Sequence, residues 1–228
     1  MTPDAPAETF ASFGVELLAS NRYEPASLAR SNVTRTLYYL RSRAEFDALS
    51  RRYGPLLTPE PRVDDASRDG GPSDEGDLRP GPSAVGRIGV LPRLEIRFLG
   101  GLLGRGLFSL DAVAAGGLIS EYTGIVRPAR PGRPLPDGGY TSDYAWGFPR
   151  VRTFGRNLEI DAREAGGPLR FANHAADPSA YPEHFPCEGR WRIVFLARRA
   201  ITPGDEITVD YGEAYWSGGE RELERESC

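Results

Sequence analysis

A chain of 228 residues, 39% of them hydrophobic, can bury one substantial core without disulfide or metal staples, and its two cysteines, Cys187 and Cys228, stand in no metal-binding or disulfide spacing. The formal net charge of -4 argues against a sequence-independent grip on nucleic acid and favours a cationic partner. No apolar run approaches the roughly 20 residues of a bilayer span, and MTPDAPAETF lacks the charged-then-apolar layout of a signal peptide, so a soluble, intracellular protein is expected, cytoplasmic or, if eukaryotic or secreted into a host, nuclear.

In chain order, residues 1–58 read as a small mixed α/β extension. Phe10, Phe13, Leu17 and Leu18 fall on one helical face, and NVTRTLYYL, 32–40, is β-branched and aromatic enough for a strand. A second helix is better marked. Ser42 with Glu45 three residues on forms a capping box, Phe46, Leu49 and Tyr53 make the apolar stripe, and Gly54-Pro55 ends it. Residues 59–85 are dense in Pro, Gly, Asp and Ser and offer little to bury, which reads as a flexible linker. From 86 to 228 the pattern changes to short apolar runs separated by Gly, Pro and Asp: LEIRF, GLFSL, LISEYTGIV, DYAWGF, NLEIDA, RWRIVFLA and DEITVDYG. That spacing predicts a β-rich α+β domain.

Four stretches of this region bear chemistry only in combination: Gly104-Arg105-Gly106, EYTG at 121–124, RFANHAADP at 170–178 and DEITVDYG at 205–212. A GxG alone usually serves a tight turn, and an isolated Asn-His pair is usually a turn residue beside a satisfied core histidine. In this order, and with IDA at 160–162 between them, they resemble the SET domain of protein lysine methyltransferases over about residues 90–219. The resemblance implies a β-clip type fold with several small twisted sheets and a knotted C-terminal segment threaded beneath a loop. It also implies methyl transfer from S-adenosyl-L-methionine to a lysine of a protein substrate, while the charge and the lack of a bilayer-length apolar run leave neither nucleic acid nor membrane expected as a direct partner.

Carried over residue by residue, Asn173 and His174 would contact the cofactor, largely through backbone and side-chain amide. Gly104 and Gly106 would let the backbone approach it, where a Cβ would collide. Arg105 would be either a surface arginine or a contact to the carboxylate of the methionine moiety. Tyr211 matches the tyrosine whose hydroxyl points to the reacting amine. Tyr122, Tyr144, Trp146 and Tyr215 match or extend the aromatic lysine channel, although ordinary packing of a β-rich core also accounts for such aromatics. Val209, small where many members carry Phe or Tyr, would leave room for more than one methyl group. Such a site needs no enzymic nucleophile, only alignment and a neutral amine. A free lysine side chain has a pKa near ~10.4, so it is neutral about once in 2,500 molecules at pH 7. A narrow apolar channel lowers that value.

The chain departs from the family where NHSCxPN becomes Asn173-His174-Ala175-Ala176-Asp177-Pro178-Ser179, and the tail SGGERELERESC keeps only Cys228. No zinc site is therefore expected. All 28 basic residues are arginine, so the chain has no lysine of its own to methylate. Two other readings remain open: a catalytically silent SET module that binds peptide or cofactor, and a β-clip scaffold for a small molecule.

Overall fold

The computed structural model describes residues 10–12, 14–24, 40–57, 91–100, 104–130, 143–153 and 156–216. The linker expected over 59–85 lies outside them. So does the strand expected over 32–40, but for Leu40, which is already helical. The elements run β1 (Glu16–Leu17), β2 (Arg22–Tyr23), α1 (Arg43–Leu57), β3 (Leu94–Gly100), β4 (Gly104–Ser109), β5 (Leu118–Glu121) and β6 (Ile125–Pro128). They continue with β7 (Ala145–Thr153), β8 (Arg156–Asp161), β9 (Ala165–Gly166), a 3-10 turn (Pro168–Phe171), β10 (Asn173–His174), β11 (Ala180–Cys187), β12 (Arg190–Ala197), β13 (Glu206–Val209) and α2 (Glu213–Trp216).

The strands form small sheets ordered β1-β9, β10-β13-β4-β3, β11-β12-β5 and β2-β6-β8-β7. The β-rich α+β class is thus what the structure shows. The run LISEYTGIV is not one strand. It breaks at Tyr122-Thr123-Gly124 into β5 and β6, which belong to different sheets. Glycine is required at that crossing because a Cβ on Gly124 would lie 2.5 Å from the Asp161 carbonyl oxygen. Strand β11 gave no signal in the sequence because AYPEHFPC carries two prolines. As an edge strand it tolerates them, pairing antiparallel with β12 from Ala180↔Ala197 to Cys187↔Arg190. The two-residue turn Glu188-Gly189 has φ of 52° and 73°, the left-handed geometry that a tight hairpin asks for.

The N-terminal segment departs from expectation in both of its helices. Residues 10–12 are helical, but Gly14, at φ 63°, turns the chain, and Leu17 enters β1 instead of continuing a helix. The segment packs on the second region: β1 pairs parallel with β9, β2 with β6, and Phe10, Phe46 and Tyr53 are buried in the same cluster as Ile119, Phe195 and Ile207. Helix α1 runs through Gly54-Pro55 to Leu57 instead of ending there. Gly54 serves close approach to β11, since a Cβ on it would sit 3.1 Å from Cys187 Sγ. Among the described residues no helix is long and apolar enough to cross a membrane.

Candidate active site

Three chain segments from different sheets end at one place. The turn after β5 delivers Tyr122, the start of β7 delivers Tyr144 and Trp146, and β13 with α2 delivers Val209, Tyr211 and Tyr215. These side chains line one cleft of about 450 Å³, its open mouth included, together with Asp143, Ala145, Leu169, Arg170, Ala172 and Phe195. Every channel residue expected from the sequence is therefore brought together, along with Tyr211. The other six lining residues were missed. Phe195 reads as core in RWRIVFLA, and Arg170 and Ala172 sit inside the RFANHAADP motif without any chemistry attached to them in sequence.

The cleft is held from behind. Glu121, buried at the end of β5, accepts from Arg192 Nη1 at 2.8 Å and Asn21 Nδ2 at 2.9 Å, while Asn21 Oδ1 accepts from the Gly124 N–H at 3.0 Å. Burial pushes the Glu121 carboxyl above its ordinary range, with Arg192 opposing. Thr123 Oγ1 donates to the Leu18 carbonyl at 2.9 Å. The N-terminal segment thus clamps the turn that presents Tyr122. The Tyr122 hydroxyl donates to the Tyr144 carbonyl at 2.9 Å, and complete burial drives its pKa far up, so it stays a protonated donor. Its ring stacks on Phe195 at 5.8 Å, and Trp146 stands edge-on to Phe195 at 5.5 Å.

Tyr211 is fixed at both ends. Its hydroxyl donates to the Ala172 carbonyl at 2.9 Å and its backbone N–H donates to His174 Nδ1 at 3.3 Å. The ring lies 4.7 Å from Tyr215. A phenol that donates to a carbonyl keeps its oxygen lone pairs for a further donor. Val209 is 1% exposed, sitting in β13 opposite His174 in parallel register.

The expected cofactor residues lie in the adjoining sheet, where β13 runs between β10 and β4. Asn173 Nδ2 donates to the Arg105 carbonyl at 3.1 Å and to Glu206 Oε1 at 2.8 Å. Both glycines also have a reason within the chain itself. At Gly106 a Cβ would meet the chain itself, Glu206 Oε1 at 2.5 Å and Leu99 Cδ1 at 2.8 Å. Gly104 needs glycine for its φ of 60°, and the space before it is open. The His174 side chain also supports the fold, because besides accepting from Tyr211 it lies 4.8 Å from the Trp216 ring. Trp216 therefore backs His174, while Tyr215 faces the cleft. The Arg105 guanidinium lies over Phe98 at 5.8 Å. Among the described residues no group of three or more His, Cys, Asp and Glu could hold a metal ion.

Chemically, the cleft is an aromatic-walled slot with two oriented hydroxyls, those of Tyr122 and Tyr211. Ring faces attract cations and methylated amines, and exclusion of water disfavours a charged amine. Residues 104–212 match the family model described as SET domain. The chain is 36% identical over 106 residues to the Saccharomyces cerevisiae "Histone-lysine N-methyltransferase, H3 lysine-4 specific", covering 46% of this chain and 10% of that protein. It is 34% identical over 122 residues to the Arabidopsis thaliana "Histone-lysine N-methyltransferase MEDEA", covering 51% of this chain and 17% of that one. Among solved structures it is similar to ctPRC2 in an autoinhibited conformation bound to S-adenosylmethionine, with TM-score 0.45 and 23% identity over 61% of this chain and 17% of that one. The chain therefore spans under a fifth of the length of these relatives.

Proposed function

Because residues 104–212 match the family model described as SET domain, we propose that the chain is a protein-lysine N-methyltransferase dependent on S-adenosyl-L-methionine. The observation that carries this reading is the convergence of Tyr122, Tyr144, Trp146, Tyr211 and Tyr215 on one cleft, with the Tyr211 hydroxyl fixed at its wall.

The residues present fit the cofactor. Open space lies before Gly104, and among the described residues Trp216 Nε1 is buried beside His174 without a hydrogen-bond partner. Gly104, Arg105, Asn173 and His174 would hold it, Gly106 lending the close approach of β4. When bound, the cofactor supplies an electrophilic methyl group on a sulfonium. The chain's own residues do the remainder. The aromatic walls strip water from the incoming lysine, which favours its neutral form, and they hold its methylenes in line. Tyr211, anchored on the Ala172 carbonyl, accepts a hydrogen bond from the amine and so aims its lone pair. Val209 leaves space beside the amine for more than one methyl group.

The substrate proposed is a basic protein segment with a target lysine, histone-like or ribosomal in character, and the setting is intracellular, cytoplasmic or nuclear. The similarity to proteins named histone-lysine methyltransferases supports a histone-like tail first. Titration calorimetry with S-adenosylmethionine, followed by incubation with labelled cofactor and either mixed histones or a cell extract, tests the reading. Binding with labelled lysine in an acceptor protein is expected. A folded protein that binds no cofactor and labels nothing would overturn it. Binding without labelling would instead favour the silent module.

A further inference from the structure

Arg170 lines the cleft from the turn Pro168–Phe171, yet no carboxylate among the described residues pairs with it. Its Nε donates to the Ala162 carbonyl at 2.9 Å and Nη2 reaches the Arg163 carbonyl at 3.4 Å. The guanidinium lies over Tyr144 at 4.3 Å and Phe171 at 4.8 Å. Carbonyl dipoles and ring faces hold the group in place without neutralising it. A fixed cation is left in the wall of an aromatic slot.

The other charges facing the slot are matched. Asp143 also lines it, but Arg163 Nη2 lies 3.7 Å from its carboxylate. Asp161 is paired with Arg127 and accepts the Arg163 N–H at 2.9 Å. Behind Tyr211, His174 and Asp210 face each other at 3.7 Å, outside the slot lining. The Tyr122 and Tyr211 hydroxyls are engaged as neutral donors. Consistent with an unmatched, half-buried cation, desolvation pulls the Arg170 pKa below the ordinary arginine value.

We propose that Arg170 tunes the reaction electrostatically, its fixed charge disfavouring an ammonium in the slot so that the substrate lysine enters and stays as the neutral amine. This inference rests on the methyltransferase reading above and names a function for a residue which that reading leaves idle. Arg170 acts through the field and does not touch the amine. A unit charge several ångströms away, in a site of effective dielectric near ~20, displaces an amine's titration by on the order of one to two pH units.

The test is the pH profile of kcat at saturating labelled S-adenosylmethionine and saturating mixed histones, which reports the ionisation of the amine bound in the slot. The full chain is compared with Arg170→Gln, which keeps an amide donor near the Ala162 carbonyl but loses the charge, and with Arg170→Lys, which keeps the charge but loses the planar stack. Acceptor and enzyme are separated on a gel, so transfer to the introduced lysine is not counted. For Arg170→Gln the rising limb is expected to move up by about one pH unit, a loss of about tenfold near pH 7 that is recovered at alkaline pH. For Arg170→Lys the limb should coincide with that of the wild type. A purely structural role would lower the rate at every pH in both variants and displace neither limb. That outcome overturns the inference, as does a displaced limb in Arg170→Lys, which decides the matter even if Arg170→Gln fails to fold. No transfer by the wild type at any pH would instead sink the methyltransferase reading itself.

Discussion

Replacing Tyr211 by phenylalanine removes one oxygen and leaves the ring, which makes it the sharpest probe of the site. In the fold that oxygen donates to the Ala172 carbonyl at 2.9 Å. Ala172 is buried, so its carbonyl would lose a partner inside the protein, a destabilisation of about 1–2 kcal/mol. In a domain of this size that lowers Tm by only a few degrees, roughly 2–4 °C per kcal/mol. The ring contacts with Tyr215 and His174 survive. If the hydroxyl also orients the amine, its loss is felt mainly in the transition state. The comparison is with a single positioned catalytic donor, whose removal typically lowers kcat by about 10² to 10³, or about 2.7–4 kcal/mol. Turnover should thus fall far more than stability, while cofactor affinity by calorimetry stays within about threefold of wild type. Tyr211→Ala, which also removes the ring, should lose both activity and several degrees of Tm. Near-normal turnover in Tyr211→Phe with a lowered Tm in Tyr211→Ala would reduce Tyr211 to a packing residue and remove it from the mechanism.

Val209→Phe places a ring where the cleft wall is now small, so mass spectrometry of the product should show a shift toward monomethyl-lysine. Overpacking a position only 1% exposed should also destabilise the fold by about 1–3 kcal/mol. An unchanged product distribution would dissociate that residue from methylation state. Arg93 grips Asp111 through Nη2 and Nε as well as its backbone N–H, holding the carboxyl at about 2 against an ordinary 3.8. A depressed carboxyl stabilises the fold above its unfolded value and loses that contribution as pH falls through the folded one. Asp111→Asn should therefore flatten the acid limb of Tm between about pH 4 and 2, less so in high salt, where exposed charges are screened. Limited proteolysis is expected to cut first within 59–85, whose composition buries little, yet the two pieces should co-elute because β1 and β2 pair with β9 and β6. Separate elution would contradict that pairing. Activity is expected to survive chelators, and stoichiometric zinc in the purified protein would overturn this.

The chemistry of this chain was legible wherever it is written in local residue identity. GRG, EYTG, IDA, RFANHAADP and DEITVDYG are short, ordered and chemically demanding, and the short runs of β-branched and aromatic residues announced most of the strands of the second region. Tyr211, Tyr122 and Asn173 could be named as candidates from these motifs, and Tyr144 and Trp146 from DYAWGF. What tertiary structure decided lies between segments distant in sequence. Two-residue strands such as β1 and β2 have no periodicity to read, so their role in clamping the turn that carries Tyr122 emerges only when Asn21 meets Glu121 and Gly124. Strand β11 hides behind two prolines that only an edge position permits. The crowding that demands Gly106 comes from Glu206 and Leu99, about a hundred residues and a few residues away respectively, a distinction no spacing encodes. Arg170 in sequence is one arginine among 28. That its charge stands unmatched in an aromatic wall depends on where Asp143, Asp161, Arg127 and Arg163 come to rest, because electrostatic energy follows separation in space and the surrounding dielectric, neither of which exists until the chain has folded.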